Sequence, residues 1–87
     1  MIFVGNKDTM NYVVATVFQF NKSPGDISIK ARGRAISKAV DVVEIARTRF
    51  LQGKCKVKAI EIGTEAIKEE DGRTRNVSTI SITVQKE

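Results

Sequence analysis

Apolar residues recur along this chain with two different periods, and the switches between them mark out its elements. Ile2, Phe3 and Val4 form a short run that reads as a buried strand ended by Gly5. Met10, Val13, Val14, Val17 and Phe18 then follow at helical spacing, with Asp8 or Thr9 placed to cap the helix. Pro24 and Gly25 in "NKSPGD" stop that helix at about Lys22. In "DISIKAR" the pattern becomes alternating: Ile27, Ile29 and Ala31 face one way, and Ser28, Lys30 and Arg32 the other, as in a half-buried strand. Gly33 opens a second helix in which Ile36, Ala39, Val40, Val43 and Phe50 fall on one broad face, and Gly53 ends it.

The last third reads as two strands. Cys55 and Val57 are apolar at odd positions, but Ile60 and Ile62 are apolar at even ones, so a bulge or a change of buried face is expected near Ala59. The final strand keeps Ile80, Ile82 and Val84 in step. A two-residue turn at Asp71-Gly72 would set Ile62 opposite Ser81. A three-residue loop, Glu70-Asp71-Gly72 with Gly72 left-handed, pairs Ile62 with Ile80 and Ile60 with Ile82, and is preferred. It also sets Glu69 opposite Arg73, a favourable cross-strand pair. From Gly63 to Ser78 both faces are mainly polar, so this hairpin has little to bury and should project by roughly 26 Å, at about 3.3 Å per residue. The order βαβαββ predicts an α+β fold, a single two-layer sandwich over residues 1–87 with a mixed four-stranded sheet and both helices on one face.

Charge changes the picture. Fifteen Lys plus Arg against ten Asp plus Glu give a net charge of +5 over 87 residues, which suits a nucleic acid or an anionic membrane as partner. The apolar runs fall far short of the roughly 20 residues of a membrane span. No leader resembles a signal peptide, so the chain reads as intracellular and cytoplasmic. A single Cys55 excludes an internal disulfide framework and a multi-cysteine zinc site. Four Phe, one Tyr and no Trp leave little for base stacking.

The densest positive run is "IKARGRAISKAV", with Lys30, Arg32, Arg34 and Lys38 within nine residues. Lys30 and Arg32 leave the strand on the face opposite its core residues, while Arg34 and Lys38 stand four apart on the helix that follows. Gly33 allows close backbone approach, and cations beside a helix N-terminus attract phosphate. A solvated face and a phosphate site are both open readings of these four cations. Lys54, Lys56 and Lys58 in "KCKVK" line one side of a strand and fit edge protection. The hairpin offers Lys68, Arg73 and Arg75 to a nucleic-acid groove, but Glu69, Glu70 and Asp71 beside them repel phosphate. That acidic trio lacks the spacing of a calcium loop, and no metal or other cofactor is expected. With no His, no Walker or dinucleotide glycine pattern and no nucleophile beside a base, no catalytic residue is assigned and the chain is not read as an enzyme.

"IKARGRAISKAVDVVEIARTRFL" (Ile29 to Leu51), with "MNYVVA" before it and "DGRTRNVSTISI" after it, resembles the archaeal Alba family of chromatin proteins, and the resemblance runs from Val4 to Lys86. It implies a fold like that of the C-terminal domain of translation initiation factor three, with sheet order 1-2-4-3. It also implies a homodimer that binds double-stranded DNA, and often RNA, without strong sequence preference, associated with the chromosome. The dimer body would lie across the backbone and the two hairpin arms along or into the minor groove. On that resemblance the body contacts fall on Lys30, Arg32, Arg34, Lys38 and Lys7. Lys7 matches the second of a lysine pair; the first, an acetylation target in some members, is Asn6 here, so that control is absent. Phe50 matches a phenylalanine used between neighbouring dimers on DNA, or else is an ordinary core anchor. Arg73 matches an arm position, and Arg75 with Lys68 completes the arm. The acidic tip and the missing lysine imply weaker or more salt-sensitive DNA binding than in strongly basic members. Two other readings use the same residues: a protein chiefly of RNA, and an interaction protein whose arms join subunits. The second helix and the last two strands are the expected dimer surface.

Overall fold

The computed structural model describes all 87 residues as β1 (Ile2–Phe3), α1 (Thr9–Lys22), β2 (Ile27–Arg32), a 3-10 turn (Gly33–Ala35), α2 (Ile36–Ile45), a π-helical turn (Ala46–Phe50), β3 (Cys55–Lys68) and β4 (Thr74–Lys86). The sheet is mixed, in the order β1-β2-β4-β3. β1 runs parallel to β2, and β4 is antiparallel to both β2 and β3. Both helices lie on one face, over a core in which Ile27, Ile29 and Ala31 of β2 meet Ile80, Ile82 and Val84 of β4. Period-two alternation predicts that arrangement directly, because a one-residue slip would turn every one of these side chains to the other face.

The hairpin follows the expected register. Ile62 faces Ile80 and Ile60 faces Ile82, and the ladder shifts between Val57 and Ala59. Lys58 is the extra residue of that bulge, and its Nζ lies 2.9 Å from Asp26 Oδ2. At the tip the Glu69 N–H donates to the Arg73 carbonyl over 2.8 Å, and Gly72 turns the chain at φ 86°. Between Gly63 and Ser78 only Ile67 and Val77 are even half-buried, and the ribbon draws the molecule out to 47 × 24 × 19 Å. β3 is an edge strand, which fits the protective reading of Lys54, Lys56 and Lys58.

Two expectations need correction. On α1 the buried residues are Val13, Thr16 and Phe20, whereas Met10, Val14 and Phe18 are exposed. Thr16 tolerates burial because its hydroxyl donates to the Tyr12 carbonyl over 2.7 Å. Lys22 Nζ sits 5.7 Å from the centre of the Phe18 ring and shields part of that exposed stripe.

The second correction concerns Phe50, which is 50% exposed and is not a core anchor; Leu51, at 2%, takes that place. Regular α-helix ends at Ile45, and the next turn is wider, with the Leu51 N–H donating to the Ala46 carbonyl over 2.8 Å. An extra residue in one turn rotates everything after it away from the 3.6-residue stripe. Within that turn, Arg47 reaches back to Glu44 with two hydrogen bonds, of 2.8 and 2.9 Å, which hold the Glu44 carboxyl below its ordinary pKa.

Candidate nucleic-acid interface

Three of the four cations in "IKARGRAISKAV" leave the body at one junction. Lys30 and Arg32 project from the helix-free face of β2, and Arg34 is exposed in the 3-10 turn that follows. The turn is possible because Gly33 adopts φ 59°, a conformation that costs glycine little. Gly33 also allows close packing, since a Cβ there would lie 3.3 Å from Val77 Cγ1. Val77 belongs to the root of the hairpin, so the basic junction and the arm adjoin each other. Arg34 precedes α2 rather than standing one regular helical turn from Lys38.

Lys38 has a different task from its neighbours. Its half-buried ammonium donates to the Gly5 carbonyl over 3.0 Å and to the Lys7 carbonyl over 2.9 Å. It therefore ties the β1–α1 loop to α2 and brings Lys7 towards the junction. The same loop is held from the other side by Tyr12, whose Oη accepts the Lys7 N–H over 3.1 Å. That hydrogen bond, more than the nearby charges, holds the Tyr12 pKa below its ordinary value.

Several of the remaining cations are already paired. Arg32 Nη1 lies 3.2 Å from Glu65 Oε1 of β3. On the arm, Arg75 Nε lies 3.1 Å from Glu69 Oε1 and Arg73 Nε 3.5 Å from Asp71 Oδ2. Glu69 and Arg73 are joined through the backbone as expected, but the carboxylate turns diagonally to Arg75 instead of Arg73. All three pairs are solvent-exposed, so each is worth about 0–1 kcal/mol and can exchange for phosphate. If this surface takes phosphate, replacing Glu65 with Gln should free Arg32 and tighten binding of a duplex DNA probe about two- to fivefold at low salt, read by fluorescence anisotropy. Unchanged affinity would mean that the pair does not restrain Arg32.

Sequence reasoning nominated the cations but missed their carboxylate partners, because Arg32 and Glu65 are 33 positions apart and belong to strands separated by β4. Cys55 is buried at the start of β3, and burial pushes its thiol pKa up, which suppresses thiolate chemistry. No helix is long and apolar enough to cross a membrane.

A model of the Alba family matches residues 1–64. Alba from Thermoplasma volcanium superposes with a TM-score of 0.89 at 52% sequence identity, covering 97% of this chain and 96% of that one. ALBA1 from Trypanosoma brucei superposes with a TM-score of 0.75 at 27% identity, covering 98% of this chain and 67% of that one. Fold, strand order and sequence agree: the chain belongs to the Alba family, whose members bind nucleic acids and in archaea are associated with chromatin.

Proposed function

We propose that this protein is a homodimeric chromatin protein that coats double-stranded DNA with little sequence preference, working in the cytoplasm on the nucleoid. The observation that carries this reading is the junction at Gly33, where Lys30, Arg32 and Arg34 leave the body beside the root of a projecting hairpin. Lys7 extends the basic surface, and Lys38 positions it through the two carbonyls it holds. Lys68, Arg73 and Arg75 of the arm follow the DNA away from the body. Binding by phosphate neutralisation gives affinity without base readout. RNA is bound by the same surface, since a basic body and a polar ribbon suit an A-form backbone as well.

Dimerisation is supported by an uncovered apolar strip. α2 packs over β2 and β4, leaving the helix-side face of β3 bare, with Ile60 62% and Ile62 83% exposed. Val40, on the exposed side of α2, adds to it. Burial of this strip against a second copy gives a dimer of formal charge +10, twice the monomer value of +5. Phe50 and the exposed end of the π-helical turn are then free for contact between neighbouring dimers.

Salt dependence tests the mechanism. If about six to eight phosphates are neutralised, log K should fall against log salt with a slope of roughly −5 to −7. A slope shallower than about −2 would sink the electrostatic reading. The internal pairs of Arg32, Arg73 and Arg75 support the expectation of weaker, more salt-sensitive binding than in strongly basic family members.

A further inference from the structure

The helix-free face of the sheet holds a groove of about 790 Å³ that shares Lys30 and Arg32 with the duplex-binding junction and is otherwise lined by residues that reading does not use. Its size lies within the range of about 300–1,000 Å³ typical of small-molecule sites. One row of paired residues crosses it through all four strands: Phe3 beside Lys30, Lys30 beside Ser81, and Ser81 beside Glu61. The row spans three strand spacings, roughly 14 Å. Gly63 keeps the floor low, since a Cβ there would meet Thr79 Oγ1 at 3.2 Å. The Arg32–Glu65 pair reaches over β4 and closes one end.

The chemistry along this row is uneven in a useful way. Phe3 is 67% exposed, so an aromatic face stands in solvent at one side of the groove. Glu61 lies at the other side and makes no ion pair, unlike Glu65. Lys30 stands between them with its charge unpaired. A continuous duplex backbone gains nothing from a free carboxylate. A single unstacked nucleotide uses all three groups: a π-face for its base, an acceptor for the N–H donors of its base edge, and a cation for its phosphate.

We propose that this groove is a pocket for one unpaired nucleotide of a single-stranded nucleic acid, with Phe3 as the stacking surface, Glu61 as the acceptor for base N–H groups and Lys30 as the phosphate contact. Guanine fits best, because its N1–H and N2–H donors lie side by side and match the two oxygens of one carboxylate. Uracil fits worst, because its one ring N–H is flanked by carbonyls that repel Glu61. The pocket rests on the nucleic-acid reading above and shares Lys30 with the basic junction, to which it adds an aromatic face and a free carboxylate.

The test compares the wild-type chain with Phe3→Ala, Phe3→Leu and Glu61→Gln. The probes are a labelled 12-nucleotide oligouridylate, the same strand with two uridines replaced by guanosine, the DNA counterparts of both, and a duplex DNA. The wild-type chain should prefer the guanine-bearing strand by at least about fivefold. Both Phe3 variants should weaken single-strand binding by at least about fivefold, the low end of the loss expected for one stacked base, and change duplex affinity less than twofold. Glu61→Gln should erase the guanine preference. Equal preference in RNA and DNA assigns the pocket to the base alone, and a preference confined to RNA assigns it to RNA. Phe3 variants that bind single strands normally, or that weaken duplex and single strand equally, would overturn the pocket and leave the duplex reading in place. A wild-type chain that binds none of the probes would instead overturn the nucleic-acid reading itself.

Discussion

A chain carrying Arg32→Glu and Arg34→Glu together should bind duplex DNA at least about 100-fold more weakly than the wild type at 0.1 M salt. Counterion release at that concentration contributes close to one log unit per neutralised phosphate, so losing two contacts already removes about two. Reversal adds repulsion, and in a dimer the change is made twice. Both side chains are exposed, and the one pair broken, Arg32 with Glu65, is an exposed bridge of about 0–1 kcal/mol. Circular dichroism and sedimentation should therefore show a folded chain of unchanged mass. An affinity within about threefold of the wild type would remove the Gly33 junction from the binding surface. Loss of assembly without loss of affinity would favour the reading of this protein as an interaction module.

The second large effect concerns assembly. Ile60→Lys with Ile62→Lys should convert the proposed dimer to a monomer in sedimentation equilibrium, and weaken duplex binding by about tenfold or more. Burying an isoleucine stabilises by about 1.5–3 kcal/mol, and two copies would contribute four of them, enough to offset a large part of the cost of association. Neither residue belongs to the buried core of the single chain, so the monomer should keep its fold. A double variant that remains dimeric would place the interface elsewhere, with the exposed Met10, Val14 and Phe18 of α1 as the next surface to test.

The sheet was legible because alternation admits only one register for a half-buried strand. The hairpin pairing of Ile62 with Ile80 and the left-handed Gly72 followed from parity and turn chemistry, and the phase switch near Ala59, read as a bulge or a change of buried face, is a bulge with Lys58 as its extra residue. The face of α1 was not legible, because Met10, Tyr12, Val13, Val14, Val17, Phe18 and Phe20 surround most of the helix. Periodicity cannot choose among nearly continuous apolar positions, and the true core face includes Thr16, whose burial depends on a hydrogen bond to its own helix. Phe50 was misplaced because a π-helical turn carries no residue signature that would shift the stripe by one.

Along the candidate surface, the basic side chains can be placed from type and spacing, but their pairings cannot. Lys38 looked equivalent to Arg34 in sequence, yet it is spent on two backbone carbonyls from a loop 31 to 33 positions away. Composition alone gave the five aromatic residues no stacking role. The exposed Phe3 acquires one only when parallel pairing sets it beside Lys30.

The close fit of Gly33 against Val77 also sets the root of the hairpin directly against the basic junction. From Glu65, the residue paired with Val77, to the tip at Asp71 the ribbon extends roughly 20 Å, at about 3.3 Å per residue. A tilt of about 10° at that root therefore carries the tip some 3–4 Å sideways. On the proposed duplex reading, small adjustments at the junction would be amplified at the tip, so that one body could serve grooves of unequal width.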